Sequence, residues 1–458
     1  MKMLISTNPA KNYETLGNVV ITTDSGVKEK VRQAKAAKKA WKDLGTKKRI
    51  ALLKPIYNDF KKRKDELSTL ITKETGKTIK ESIRELDFYL DYFRWFLENG
   101  KLALKEQITH IDQTTIHKIV YEPIGVAAVI TPWNFPFGIF VWGVIPNLIV
   151  GNTVVFKTSE ECPLTGKLIE DIMRSHRLPD GAFIEIYGAG DTGRKLAKSD
   201  IDFIWFTGST EAGKELYRIA ADRFIKVILE LGGSNPAIIF EDADISHLID
   251  KIYAKRYNVC GQTCDSLKRL IVHESKYEEV IKLLKKKIEC KIVGDPEKTE
   301  TDHGSLAAKR QLELLESQVQ DALDKGAKII IGAKRPENIE GAYYLPTILT
   351  GITKDMRIWH EEVFGPVLPM ISFRTEQEAI DLANETKYGL GAIIFTKDKK
   401  RAERIARNLE SGTIEINGSD HWLPCNPFGG FRQSGIGKEH GIHGFHELCR
   451  IKLICEEK

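Results

Sequence analysis

The sequence predicts an α/β protein: two successive units of mostly parallel sheet, with a small β arm. Short apolar runs alternate with helix-periodic stretches from residue 126 to residue 229, and a second series of the same kind begins at Asn235. Between them "LELGGSNP" breaks the pattern with paired glycines and a proline. Such alternation argues for parallel sheets covered on both faces by helices. No low-complexity segment or short repeat points to another architecture.

The first hundred residues read as mainly helical, because "VKEKVRQAKAAKKAWKDL" and "IKESIRELDFYLDYFRWFLENG" recur in apolar residues at three- and four-residue spacing. They serve packing, not chemistry. Residues 102–121 and 447–455 alternate like exposed antiparallel strands, and such edges need a partner, either each other or another subunit. Strands are expected at 126–130, 153–156, 182–187, 203–206 and 226–229, with helices between. The uncharged span 123–156 is long enough to raise the question of a membrane. Pro132, Asn134, Pro136, Pro146 and Asn147 interrupt it, so it parses better as a buried strand, a turn, an apolar helix over 138–150 and another strand. In the second series "NPAIIF" is a strand and 245–257 a helix. Strand "RLIVHE" and helix "KYEEVIKLLKKKIE" follow, then a helix and strand in "LLESQVQDALDKGAKIIIG". The alternation ends with "VLPMISF", "EQEAIDLANET", "GAIIFTKD", "KKRAERIARNLE" and "TIEING".

With 458 residues, 42% of them hydrophobic, the chain can bury two or three domains. Its formal charge of +5 is small against 69 basic and 64 acidic residues mixed along the sequence, so a nucleic-acid partner is not expected. Seven scattered cysteines and an N-terminus without an apolar signal core point to a reduced, cytoplasmic location.

"FTGSTEAGKE" (206–215) has the glycine and lysine spacing of a P-loop up to its last residue. A P-loop needs Ser or Thr there to ligate magnesium, and Glu215 would instead repel phosphates. What remains is a glycine turn at a helix N-terminus, a general anion cradle that fits a nucleotide or dinucleotide. Three other stretches carry reactive groups. "NVCGQTC" (258–264) offers cysteines beside a glycine that permits close approach, although the pair is also compatible with buried apolar packing. No zinc site is expected, since no second Cys/His pair follows at ligand spacing. "TPWNFPFG" sets the amide of Asn134 on a turn after a buried strand, where an N–H donor serves an oxyanion. "LELGGSNP" ends an apolar strand at Glu230, where burial raises a carboxyl toward a useful general base.

At this point the sequence resembles the aldehyde dehydrogenase family over nearly its whole length. The resemblance rests on "TPWNFP", "GNTVVFKTSEECPLTG", "FTGSTEAGKEL", "LELGGSNPAIIFEDADI", "GQTC", "HEEVFGPVLP", "YGLGAIIFTKD" and "PFGGFRQSGIGKEHG", all in register. It implies a Rossmann-type cofactor domain (1–103 and 124–232), an α/β catalytic domain (233–424) and a small β oligomerisation arm (104–123 and 440–458) that makes homodimers or homotetramers. It implies that Cys264 attacks an aldehyde, that Asn134 and the Cys264 amide hold the oxyanion, and that Glu230 activates the water that hydrolyses the thioester. Glu439 matches a secondary glutamate of a proton relay. Thr131, Trp133, Lys157 and Glu160 would meet the adenosine half of NAD, Gly208 and Ser209 the pyrophosphate, and Glu362 and Phe364 the nicotinamide ribose. Lys214 becomes a surface residue. A carboxylate at Glu160 disfavours a 2′-phosphate, so NAD is expected, with NADP possible through Lys157.

Within the family the chain is most similar to short bacterial-type succinate-semialdehyde dehydrogenases, through "LELGGSNP", "RYNVCGQTCDSLKR" and "GFHELCRIK". It departs from them in the substrate pocket, assigned to Phe135, Trp142, Asn258, Thr263 and Trp422. Trp142 stands where that group commonly has a carboxylate-binding arginine, Trp422 where several have a serine, and Asn258 where some have another arginine. A neutral, moderately apolar aldehyde is therefore expected, with succinic semialdehyde the competitor that Arg256 or His421 would serve. Val259 replaces an asparagine found in many relatives. A reversible Cys260–Cys264 disulfide is a further expectation. A non-catalytic structural relative is disfavoured, because Asn134, Glu230, Cys264 and Glu362 are all present.

Overall fold

Residues 2–458 are described by a computed structural model, and two largely parallel sheets carry most of them. The first sheet runs, edge to edge, Gly435–Ile436, Lys226–Glu230, Phe203–Thr207, Val126–Ile130, Thr153–Lys157, Phe183–Ile186. Its pairs are parallel except the two-residue edge strand, which is antiparallel and brings Gly435 opposite Glu230. Strand order reverses at Val126–Ile130, whose neighbours are the next strand in the chain on one side and Phe203–Thr207 on the other. Adjacent connections leave such a point in opposite directions and open a crevice at the carboxyl ends of the strands. That crevice is where Thr131–Asn134 and Gly208–Ser209 emerge.

The second sheet runs Lys328–Ile331, Thr347–Thr350, Val367–Phe373, Leu267–His273, Asn235–Ile239, Gly391–Phe395, Thr413–Ile416. Only its first pair is antiparallel. The central strands Asn235–Ile239 and Gly391–Phe395 are mostly apolar and buried along their whole length because both faces are covered. The uncharged span resolves as predicted into strand Val126–Ile130, helix Pro136–Val150 and strand Thr153–Lys157, all buried. Among the described residues no helix is long and apolar enough to cross a membrane.

The lonely edge segments find each other. Gln107–Ile111, Thr115–Pro123 and Cys449–Glu457 form a three-stranded antiparallel sheet, registered from Cys449 opposite Pro123 to Glu457 opposite Thr115. Ile108, Ile111, Ile451, Leu453 and Ile454 remain exposed on it. The expectation of a mainly helical first hundred residues needs one correction: Met3–Asn8 and Glu14–Val20 form an antiparallel hairpin before the first helix. Its turn signal, "NPAKN", lies between two β-rich runs and was available in the sequence.

Candidate active site

A cleft of about 380 Å³ opens over the crevice of the first sheet. Trp133, Asn134, Gly208, Ser209, Cys264, Glu362 and Phe364 all line it, so residues from the two sheets meet in one space. Gly208 is required by proximity: a Cβ there would lie 2.4 Å from the Phe206 ring. Ser209 caps helix Thr210–Asp222 by accepting from the Ala212 amide at 3.3 Å, leaving the remaining amides of the first turn facing the cleft. Lys214 turns to Glu211 at 3.2 Å and Glu215 to Arg194 at 2.8 Å, both on the half-exposed flank of that helix. The P-loop spacing is therefore coincidental.

Asn134 is buried and its Nδ2 donates to the Gln262 carbonyl at 3.1 Å, which fixes the donor end of the amide and leaves a second N–H free. Its main-chain oxygen accepts from Lys77 Nζ at 2.5 Å. Lys77 is fully buried and pairs with Glu85 at 2.5 Å, while Glu85 accepts the Phe137 and Gly138 amides at 3.0 and 3.1 Å, at the start of helix Pro136–Val150. A buried ion pair thus clamps the turn that aims Asn134. Sequence analysis missed it, because Glu85 sits in a helical stretch that reads as packing and Lys77 in the short turn that precedes it.

Burial pushes the Cys264 thiol well above its ordinary range, and the nearby Asp265, Glu362 and Glu230 carboxyls add to the effect. Lys268 opposes it. Glu230 ends its strand buried, with neither carboxyl oxygen hydrogen-bonded to another side chain. Desolvation raises it to about 8, against the pull of Lys438. Glu439 is likewise buried and raised well above a carboxylate's usual value, by desolvation and then by Glu230. His440 beside it is held near 3 by desolvation, hence neutral.

Of the adenosine-side residues, buried Lys157 donates to the Thr158 carbonyl at 3.0 Å and lies 3.7 Å from Glu160. Arg310, unnoticed in the sequence, approaches Glu160 at 3.6 Å and Glu161 at 2.8 Å. The Thr131 amide donates to the Lys157 carbonyl at 3.1 Å, and its hydroxyl lacks a partner. These residues lie at the strand ends and do not line the 380 Å³ cleft. On its wall, the Trp133 and Phe364 rings meet edge to face at 5.6 Å. Glu362 accepts from the Gly233 amide at 3.1 Å and from Lys268 Nζ at 2.9 Å.

The substrate-side expectations divide. Trp142 stacks on Trp422 at 5.3 Å and packs against Tyr89, Tyr92 and His440, forming an aromatic cluster that Phe135 joins through Tyr89, although none of the three expected pocket residues Phe135, Trp142 and Trp422 lines the 380 Å³ cleft itself. Thr263 is half-buried beside Cys264 and Asn258 is exposed at the end of helix Ile245–Tyr257, and neither side chain lines the cleft. Arg256 does not reach the substrate either. Its guanidinium is fully buried and bonded to the Ser266 hydroxyl and the Leu267, Val363 and Gly365 carbonyls. His421 is engaged by Glu415 at 2.6 Å and faces Asp265 at 3.8 Å, so any charge it carries is already matched. Val259 and Cys260 both adopt left-handed backbone, φ 52° and 51°, an uncommon conformation for valine. The Val259 amide is held by Glu81 at 2.7 Å. Cys260 and Cys264 are both free thiols; the Cys260 thiol donates to the Gly304 carbonyl at 3.4 Å and burial keeps it protonated, which lends the disulfide no support.

A cysteine and an amide donor at a dinucleotide-type crevice fit the class of cofactor-dependent oxidoreductases. The chain belongs to the aldehyde dehydrogenase family, whose model matches residues 2–454, and NAD(P)-dependent oxidation of an aldehyde is the activity this membership carries. It is 35% identical over 453 residues to the betaine aldehyde dehydrogenase of Bacillus subtilis, covering 97% of this chain and 92% of that one. To the NADP(+) succinate-semialdehyde dehydrogenase of Deinococcus radiodurans it is 34% identical over 425 residues, covering 93% and 89%. The crystal structure of Staphylococcus aureus betaine aldehyde dehydrogenase in complex with NAD+ superposes with a TM-score of 0.94 at 34% identity, covering 99% and 91%.

Proposed function

We propose that Cys264 is the nucleophile and that the protein oxidises a neutral, moderately apolar aldehyde to its acid. The observation that carries this is the shared cleft, in which Cys264 and Asn134 face the residues of the dinucleotide crevice. The cleft fits NAD(P)+: Gly208 leaves room at a helix N-terminus, and the Trp133 and Phe364 rings offer flat walls. Glu362 would hold the nicotinamide ribose and Ser209 the pyrophosphate. When bound, the cofactor supplies the hydride acceptor.

The Cys264 thiol gives up its proton to solvent and the thiolate sulfur adds to the carbonyl carbon, and the oxygen that gains the electron pair receives hydrogen bonds from Asn134 Nδ2 and the Cys264 amide. Loss of hydride from the resulting thiohemiacetal leaves a thioester on Cys264. Glu230 takes a proton from water as it attacks the thioester, and the thiolate leaves as the acid forms. Glu439 relays the proton from Glu230, giving up its own as it takes one, since the two raised carboxyls share one buried region.

Charge argues against succinic semialdehyde. Arg256 and His421 are both engaged, while Asp265 stands next to Cys264 and would repel a second carboxylate. The stacked Trp142 and Trp422 rings add an apolar aromatic cluster without a charge of their own, set behind the residues that line the cleft. Glu160 favours NAD over NADP through repulsion of a 2′-phosphate, although Arg310 places a cation beside it. Residues 1–103 and 124–232 would form the cofactor domain, 233–424 the catalytic domain, and 104–123 with 440–458 the arm through which subunits pair. Free cysteines throughout fit a reducing cytoplasm. The test is kcat/KM on a neutral and a carboxylated aldehyde of similar length with both cofactors. The carboxylated substrate winning about a hundredfold, near 3 kcal/mol of transition-state preference, refutes the pocket argument.

A further inference from the structure

Lys268 and Arg269 are adjacent, fully buried cations at the start of strand Leu267–His273. Successive strand residues point to opposite faces, and the two cations meet different surroundings. Arg269 is consumed structurally, by the Ser234, Leu382 and Ala383 carbonyls and the face of Trp359. Lys268 is not. Its Nζ donates to Glu362 at 2.9 Å and lies 4.5 Å over the Phe364 ring, on the two residues that border the reactive end of the cleft. An ammonium has three donors, and Glu362 is the one acceptor within hydrogen-bond distance among the described residues.

Such a group is costly to bury unless its charge is matched, and here Glu362 matches it. The groups facing Lys268 are Glu362, Arg256 and Cys264, and those facing the Cys264 sulfur are Asp265, Glu362, Glu230 and Lys268. Lys268, held on Glu362 at the cleft that Cys264 also lines, is the cation among these groups and the one that favours the thiolate, against Asp265 and Glu362. Glu362 also needs a fixed orientation: it is anchored at one oxygen by both Lys268 and the Gly233 amide, leaving the other oxygen for a ligand. Gly232 accommodates this arrangement, since a Cβ there would fall 2.4 Å from that other oxygen.

We propose that Lys268 is a positioning residue that fixes Glu362 for the nicotinamide ribose and supplies the positive charge that makes the Cys264 thiolate accessible. The Glu362 half rests on the cofactor placement above; the thiolate half does not. Three variants separate the effects: Lys268→Met removes charge and hydrogen bond, Lys268→Gln keeps a donor without charge, and Lys268→Arg keeps both. For each, the pH dependence of Cys264 alkylation by iodoacetamide is measured without cofactor, alongside KM for NAD+ and kcat. Alkylation at neutral pH is expected to slow about tenfold, its midpoint moving up about one unit, in both the Met and Gln variants. KM for NAD+ is expected to rise about tenfold in Lys268→Met, with a smaller rise in the Gln variant and substantial recovery of both readouts in Lys268→Arg. An alkylation midpoint that does not move in either neutral variant, or an unchanged KM for NAD+ in Lys268→Met, overturns the proposal. The Gln variant, isosteric enough to preserve the strand, answers the charge question if Lys268→Met does not fold. Should the parent enzyme reduce no NAD+ with any aldehyde, the functional reading fails, while alkylation still decides the role of Lys268 at the sulfur.

Discussion

Turnover should be governed by the ionisation of Glu230, and its burial sets the magnitude. With the carboxyl raised to about 8, about one enzyme in eleven carries the ionised base at pH 7 and about half do at pH 8. Where thioester hydrolysis limits turnover, kcat should therefore climb about fivefold from pH 7 to pH 8 and level off above pH 9. Glu230→Gln removes the base, and steady-state turnover should fall about a hundredfold to ten-thousandfold. Acylation precedes the step that needs Glu230, so stopped-flow absorbance of the reduced cofactor should still show a burst of about one equivalent per subunit. The same group leaves a thermodynamic signature. Its folded pKa lies above the unfolded value, so the stability it lends is present below the ordinary carboxylate range and is lost as pH rises through about 8. The glutamine variant has no such loss, and its Tm should gain on the parent between pH 7 and pH 9. A parent whose kcat is flat over that range, or a Glu230→Gln enzyme that turns over within about threefold of it, refutes the assignment.

Asn134→Ala should lower kcat by about a hundredfold to a thousandfold with little change in KM for NAD+, because the amide acts on charge that develops only after attack; an effect confined to KM counts against it. Trp422→Ala, at a half-buried position, should raise KM for an apolar aldehyde about tenfold while leaving Cys264 alkylation unchanged, as expected for lost apolar packing behind the cleft. Leu453→Glu places a charge among the exposed apolar residues of the three-stranded arm and should lower the sedimentation coefficient if the arm pairs subunits as proposed; an unaltered profile counts against that role for the arm.

The alternation of apolar runs located the parallel strands and the uncharged buried helix because those patterns depend on local periodicity alone. The partnership of residues 115–123 with 449–457 was visible only as a need, since antiparallel pairing across the length of the chain leaves no local mark. At the site, Asn134 and Cys264 were legible as reactive types in unusual settings. The cations were not. Arg256 and Lys268 both stand near the cysteine in sequence, yet one spends its guanidinium on backbone carbonyls and the other meets Glu362, a distinction set by which face of the fold each side chain enters. Glu85 escaped notice for the converse reason, since helical periodicity explained it without a role, and Lys77, in the turn before that helix, carried no pattern at all. The glycine turn at 206–215 needed only Glu215 to exclude an ATP site, and the topology then put Gly208 and Ser209 at the strand-order reversal.

The central claim is that Cys264 carries the acyl group. Intact-protein mass spectrometry of Glu230→Gln, mixed with NAD+ and an apolar aldehyde and quenched in acid, should show one acyl adduct per subunit on the peptide containing Cys264, and Cys264→Ala should form neither adduct nor reduced cofactor while retaining its Tm. Undiminished production of reduced cofactor by a folded Cys264→Ala enzyme would contradict it.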